Sequence, residues 1–301
     1  MNYSIKTEQQ CVAFESDLST IHAMLKQEES GYQVCDYFHN LPQSCLLGKP
    51  VDAQARAAIA DWCVKIMDVC QYQRETAFVA ISYLDRFMAS PEGYNYLLDR
   101  SLFQLAALAS VYSAVKINEQ QVLGSGFIAR LSNGERTSIE IEKMELRLLQ
   151  ALEWRANPPT PMSFVQHHLA LIPRNELDTL TRQALIDVAQ YQLDATISSY
   201  EFALEKASMV GLAALLNAAD SISDDGSLFD RIESLIFQVT RTQAKSLLTL
   251  RKKLYELISS KESSTSLSSL PTLRNPSAAS LTSYMKTGRT YFPLSPRTVQ
   301  L

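Results

Sequence analysis

An all-α protein of two helical units followed by an unstructured tail is the fold that three observations predict. Apolar residues recur with a 3.6-residue period along most of the chain. Only 9 of 301 residues are glycine, against an average of ~7%, which disfavours glycine-dependent barrels and phosphate-binding loops. Prolines and glycines gather between the periodic segments, where they end helices. A chain of 301 residues has room for about two domains, each with its own core. With 46% hydrophobic and 20% charged residues and a formal net charge of -4, the composition is globular and lacks the basic footprint of direct nucleic-acid binding.

Residues 1–48 are mixed, with weak helical character at Cys11–Lys26 and Val34–Phe38. Pro42–Pro50 reads as a loop and Asp52 as the N-cap of the next helix. Five helices are expected at 53–71, 75–89, 101–117, 120–131 and 138–153. Asn157-Pro158-Pro159-Thr160-Pro161 cannot continue a helix, because each proline removes a donor and restricts its predecessor. That places a boundary between a domain at 49–157 and one at 158–260. In the second, helices are expected at 161–171, 175–199, 206–219, 228–240 and 243–259, a helix count that suggests an internal repeat. Residues 261–301, rich in serine and punctuated by proline, read as a disordered tail. Ser295-Pro296-Arg297 is a minimal proline-directed phosphorylation site within it.

The five cysteines show neither C-x-x-C nor Cys/His ligand spacing, so no metal or cofactor is expected and a reduced intracellular compartment fits them. The stretch MNYSIKTEQQ has no apolar signal core, and the longest charge-free run, Leu102 to Val115, is shorter than the ~18 residues of a membrane span. A soluble chain without a membrane partner is expected. Gly124-Ser125-Gly126 follows helical sequence and reads as a turn. His167 and His168, as neighbours, project about 100° apart on a helix and cannot face one metal. No nucleophile constellation or phosphate loop is present, so the chain reads as a non-enzyme.

Charges inside apolar arcs are more informative, since an unpaired buried charge costs several kcal/mol. Arg56 projects between Cys63 and Met67, and Asp85 between Ile81 and Phe78, whereas Arg86 points away near Ser82. Arg56 and Asp85, on successive helices, most economically pair as a fork. Glu145 lies among Ile141, Met144, Leu148, Leu149 and Leu152 and needs a cation, for which Lys116 is the candidate. Two readings of Glu145 stand side by side: an internal ion pair, or a charge presented to a partner within an apolar interface.

Four stretches carry a family resemblance. Ala55-Arg56-Ala57-Ala58-Ile59-Ala60-Asp61-Trp62 resembles the opening of the cyclin box. Glu75-Thr76-Ala77-Phe78 with Tyr83-Leu84-Asp85-Arg86-Phe87 resembles its second helix, Gln104-Leu105 through Lys116 its third, and Glu142-Lys143-Met144-Glu145 its fifth. The likeness continues through Trp154, Pro161-Met162-Ser163-Phe164 and Ala207-Ser208-Met209-Val210, covering about residues 30–260. It implies two tandem five-helix cyclin folds and a regulatory subunit that binds and activates a cyclin-dependent kinase, in nucleus and cytoplasm, with G1 or D-type character. It further implies that Arg56 and Asp85 pair internally, that Leu105 belongs to the box core, and that Lys116 and Glu145 contact the kinase. Kinase substrates or inhibitors are further implied partners. Of the family's substrate-docking patch, Ile59, Trp62 and Gln104 match, whereas Ala55 and Ala58 replace larger apolar residues and Lys65 stands where an acid is usual. Less apolar area and a reversed charge weaken docking of basic peptides. The competing reading is a cyclin-fold scaffold or transcription adaptor that activates no kinase.

Overall fold

The computed structural model describes residues 2–39, 41, 50–173, 175–222, 226–240 and 244–265. Residues 42–49 of the expected loop and the tail beyond Thr265, with Ser295, lie outside the described residues. Among the described residues there is no strand. The helices are α1 (Asn2–Glu29), α2 (Ala53–Cys70), α3 (Arg74–Met88), α4 (Tyr94–Leu97), α5 (Arg100–Asn118), α6 (Ser125–Arg130), α7 (Ser138–Ala151), α8 (Pro161–Ala170), α9 (Thr179–Thr196), α10 (Tyr200–Ala203), α11 (Ala207–Ile222), α12 (Ser227–Thr240) and α13 (Ala244–Thr265), with a 3-10 turn at Pro91–Gly93. They fall into two compact units. Residues 36–156 hold α2 to α7, and residues 157–259 join residues 1–35 to hold α1 and α8 to α13.

In the first unit α5 is the central helix, packed against α3 and α7 and touched by α2, α4 and α6. Its buried Ala106, Ala107, Ala109, Ser110, Ser113 and Ala114 are small enough to let neighbouring helices approach closely. Phe103, Leu105, Leu108, Val111 and Val115, all buried, fill the remaining space. The second unit repeats the device. Its α11, buried at Gly211, Ala213, Ala214, Ala218 and Ala219, packs against α8, α9 and α12. A Cβ at Gly211 would lie 2.3 Å from the Pro161 carbonyl oxygen, so only glycine allows this approach.

Helix starts follow the local sequence. Asp52 caps α2 by accepting from Ala55 N–H at 2.8 Å, and Asp99 caps α5 through the N–H groups of Ser101 and Leu102. Thr137 and Glu140 form a capping box on α7, and Thr160 with Ser163 does the same on α8, whose first residue is Pro161.

Several expected boundaries differ. The weak periodicity at 11–26 belongs to one long helix, α1, stabilised by Ile21 and Met24 in a cluster with Phe164 and Leu171. Residues 34–38 form no helix. The helix expected at 120–131 shrinks to α6, because the Gln121 carbonyl is taken by the Tyr72 hydroxyl at 2.6 Å and Gly124 becomes the N-cap. That expected at 175–199 starts at Thr179, where the Asp178 carboxylate accepts from Leu180 and Thr181. At the C-terminal end α13 runs to Thr265, past the point where apolar periodicity stops.

The second unit also buries polar groups. Glu28 of α1, 4% exposed, accepts from Ser208 N–H at 2.8 Å and Ser208 Oγ–H at 2.6 Å. It thereby caps the first turn of α11 from a helix remote in sequence. Burial pushes its carboxyl above the usual range, more than the Ser208 bonds lower it. His168 is fully buried, with Nδ1 2.7 Å from the Phe164 carbonyl oxygen, so Nδ1 carries the proton and donates. Burial holds this imidazole down at about 4. Folded His168 therefore stays neutral while the unfolded chain protonates it below about 6.5, so its contribution is complete above that pH and is lost towards pH 4. Chemical denaturation should show about 2 to 3 kcal/mol of stability disappearing from this group between pH 7 and pH 4, and His168→Met should flatten that part of the profile.

Candidate functional site

α2 and α3 bring the two expected buried charges together. Arg56 and Asp85 are 2% and 3% exposed, and the guanidinium donates from Nε to Oδ1 at 2.9 Å and from Nη2 to Oδ2 at 2.7 Å. The Tyr37 hydroxyl adds a third bond to Oδ1 at 2.8 Å. Burial opposes the Arg56 charge, but Asp85 and Tyr37 outweigh it and raise its pKa. Tyr37 sits in the irregular 34–38 segment, where a weak helical pattern gives no sign of what its hydroxyl meets, so the sequence offers no signal for its role. Beside the fork, buried Cys63 is pushed upward by its apolar surroundings and stays a thiol.

The second charged pair lies where α5 leaves the core. Lys116 Nζ donates to Glu145 Oε2 at 3.1 Å, with side-chain exposures of 41% and 13%. The other carboxylate oxygen of Glu145 accepts from Ser113 Oγ–H at 3.2 Å, so both oxygens are engaged from within the chain. Lys116 also sits 4.8 Å from the Tyr112 ring centroid, a cation–π distance. An ammonium has three donors, and at this exposure it retains capacity for an acceptor outside the chain. Ile117, Val122, Ile139 and Leu146, each about half exposed or more, stand on the same two helices and the turn after α5. Such a surface, apolar with a nearly dry carboxylate and a wet ammonium, holds no nucleophile and is suited to binding.

The remaining positions are distributed differently. Leu105 is buried in α5. Ile59 and Trp62 are 4% and 2% exposed and Gln104 is half-buried, so two of the three matches to a docking patch are core side chains here. Arg86, expected to point outward, is buried at 7% exposure and donates to the Arg155 carbonyl at 2.8 Å. The chain just beyond α7 draws it in: Tyr83 donates to the Ala156 carbonyl, and Glu153 and Trp154 turn there through left-handed backbone at φ 52° and 59°. Trp154 is left 64% exposed. His167 lies against Asp17 at 2.9 Å, away from any metal-binding company, and no group of three or more metal-ligating side chains occurs among the described residues.

Residues 19–157 match the family model described as the cyclin N-terminal domain. This stretch, a little under half of the chain, is a cyclin N-terminal domain. Over 122 residues it is 31% identical to G1/S-specific cyclin-E1 of Gallus gallus, covering 40% of this chain and 29% of that one. It is 25% identical over 228 residues to G2/mitotic-specific cyclin-B2 of Oryzias latipes, covering 70% and 56%. The aligned part thus spans under a third of the cyclin-E1 relative and just over half of the cyclin-B2 one. Among solved structures, a viral cyclin from herpesvirus saimiri shares the fold with a TM-score of 0.56 at 16% identity, over 70% of this chain and 87% of that one. In this domain the fork is the element whose loss should be most damaging. Asp85→Asn should lower stability by about 3 to 5 kcal/mol by leaving the Arg56 charge buried and uncompensated, and thermal unfolding of Asp85→Asn beside Arg56→Met with Asp85→Leu should show the double variant recovering much of the loss.

Proposed function

We propose that this chain is the regulatory subunit of a cyclin-dependent protein kinase, promoting progression through G1 or the G1/S transition from nucleus and cytoplasm. The observation that carries the reading is the Lys116–Glu145 pair, held half-open at 3.1 Å, with Ile117 and Leu146, the next residues along the two helices, also exposed. A purely internal pair would be better served by full burial or full solvation. An exposed ammonium supported by a nearly dry carboxylate is a rigid donor for a carbonyl or carboxylate on a partner. The cyclin N-terminal domain makes a kinase the partner of choice, and the cyclin-E1 relatives are G1/S-specific.

The mechanism is population shift. The chain contributes binding energy only to the kinase conformer whose catalytic Lys and Glu are paired, so that conformer gains in proportion to the difference in affinity. Substrate capture through the box opening is not part of this proposal: Ala55, Ala58 and the Lys65 charge leave little for a basic peptide, and Ile59 and Trp62 are turned into the core.

Purified chain mixed with candidate cyclin-dependent kinases should form a heterodimer and stimulate peptide phosphorylation. Lys116→Glu and Glu145→Lys should each weaken binding by about 10- to 100-fold, as expected for disrupted interfacial charges worth roughly 1.5 to 3 kcal/mol, while the chain stays folded. Folded chain that binds no kinase favours the scaffold or adaptor reading. We further propose phosphorylation of Ser295 as a control on turnover: Ser295→Ala should lengthen the protein's half-life in cycling cells, as read by a translation-arrest chase.

A further inference from the structure

The segment that carries Lys116 is anchored by residues that belong to neither charge pair. α5 ends at Asn118, and Glu119 N–H closes the last turn on the Val115 carbonyl at 3.0 Å. The Glu119 side chain then reaches across to the start of α3. Its Oε1 accepts from Gln73 N–H at 3.0 Å and from Thr76 Oγ–H at 2.5 Å, and Thr76 is 2% exposed. Gln73, the N-cap of α3, makes no side-chain capping bond of its own. One residue therefore closes α5 through its backbone N–H and sets its carboxylate at the positive end of α3. Two residues on, Tyr72 donates to the Gln121 carbonyl at 2.6 Å. Asn118 Nδ2 donates back to the Ala114 carbonyl at 2.8 Å. Residues 116–122, with exposed Lys116, Ile117 and Val122, are thus tied at both ends.

We propose that Glu119 and Thr76 are positioning residues for the partner-binding face: their bond across the α3 and α5 ends pre-orders residues 116–122, so that Lys116 and Ile117 meet a partner without first being immobilised. This rests on the functional reading above. A helix terminus with exposed side chains frays readily, and ordering it on binding costs affinity. The Glu119 carboxylate removes that cost in the free chain. Thr76 supplies a hydroxyl donor that a buried threonine-sized apolar residue would lack.

The test combines amide hydrogen exchange on the free chain with titration against the kinase that the wild type binds, for Glu119→Ala, Thr76→Val and Thr76→Ser. Exchange at residues 116–122 should quicken at least tenfold in Glu119→Ala and Thr76→Val while α7 and α11 keep wild-type rates. The same two variants should bind roughly tenfold more weakly, mainly through faster dissociation. Thr76→Ser, which keeps the donor, should restore both. Unaltered exchange at 116–122, unaltered affinity, or an equal loss in Thr76→Ser would each overturn the positioning role alone. A wild-type chain that binds no kinase would overturn the functional reading and this proposal with it.

Discussion

A helix packed on most sides carries a formal charge only where a partner reaches it, and α5 avoids that need by keeping its charges at its ends. From Leu102 to Val115 it holds no charged side chain, and its small residues let α3 and α7 close on it. Lys116 is the first charge after this run. Its position is therefore dictated by packing, one turn from the point where α5 emerges. Glu145 follows from it, since a carboxylate at the edge of the apolar arc of α7 is tolerable only where a cation and a hydroxyl can reach it. The candidate binding face is in this sense a by-product of how the central helix ends.

The Arg56–Asp85 fork obeys the same economics at greater depth. Two charges with almost no exposure persist because the carboxylate accepts three hydrogen bonds, from Nε, Nη2 and the Tyr37 hydroxyl. Such a fork fixes the crossing of α2 and α3 more tightly than apolar contact does, since it tolerates little sliding. The fork joins the start of α2 to the end of α3, and at the opposite end of the same helix pair Glu119 and Tyr72 anchor the end of α5.

Capping between elements distant in sequence recurs in both units. Glu119 serves α3 in the first, and Glu28 serves α11 in the second. In each case a helix start is satisfied from elsewhere in its unit, which makes secondary structure depend on tertiary contact. It also explains why residues 1–35 group with 157–259 despite the distance along the chain: Ile21, Met24 and Glu28 find their partners there.

Much of this is legible in the sequence. The all-helical class, the Asn157–Pro161 boundary, the Asp52 cap and the depth of Arg56 and Asp85 all follow from periodicity, proline chemistry and side-chain projection, because these are local properties of a helix with known geometry. The pairing of Glu145 with Lys116 could be named as a candidate by the same arc argument. What a helical wheel cannot show is which carbonyl or hydroxyl another segment brings alongside. Arg86 projects outward by that measure and is buried because the chain after α7 folds over it; Tyr37 and Glu119 lie outside the helices that form and gain their roles only from what they face. The sequence by itself determined where most helices form and that Arg56 and Asp85 lie inside apolar arcs, since those depend on spacing along one element. Only the tertiary structure decided the partners of those charges, the length of α1 and α6, and the anchoring of the binding face, since these depend on groups brought together from distant parts of the chain.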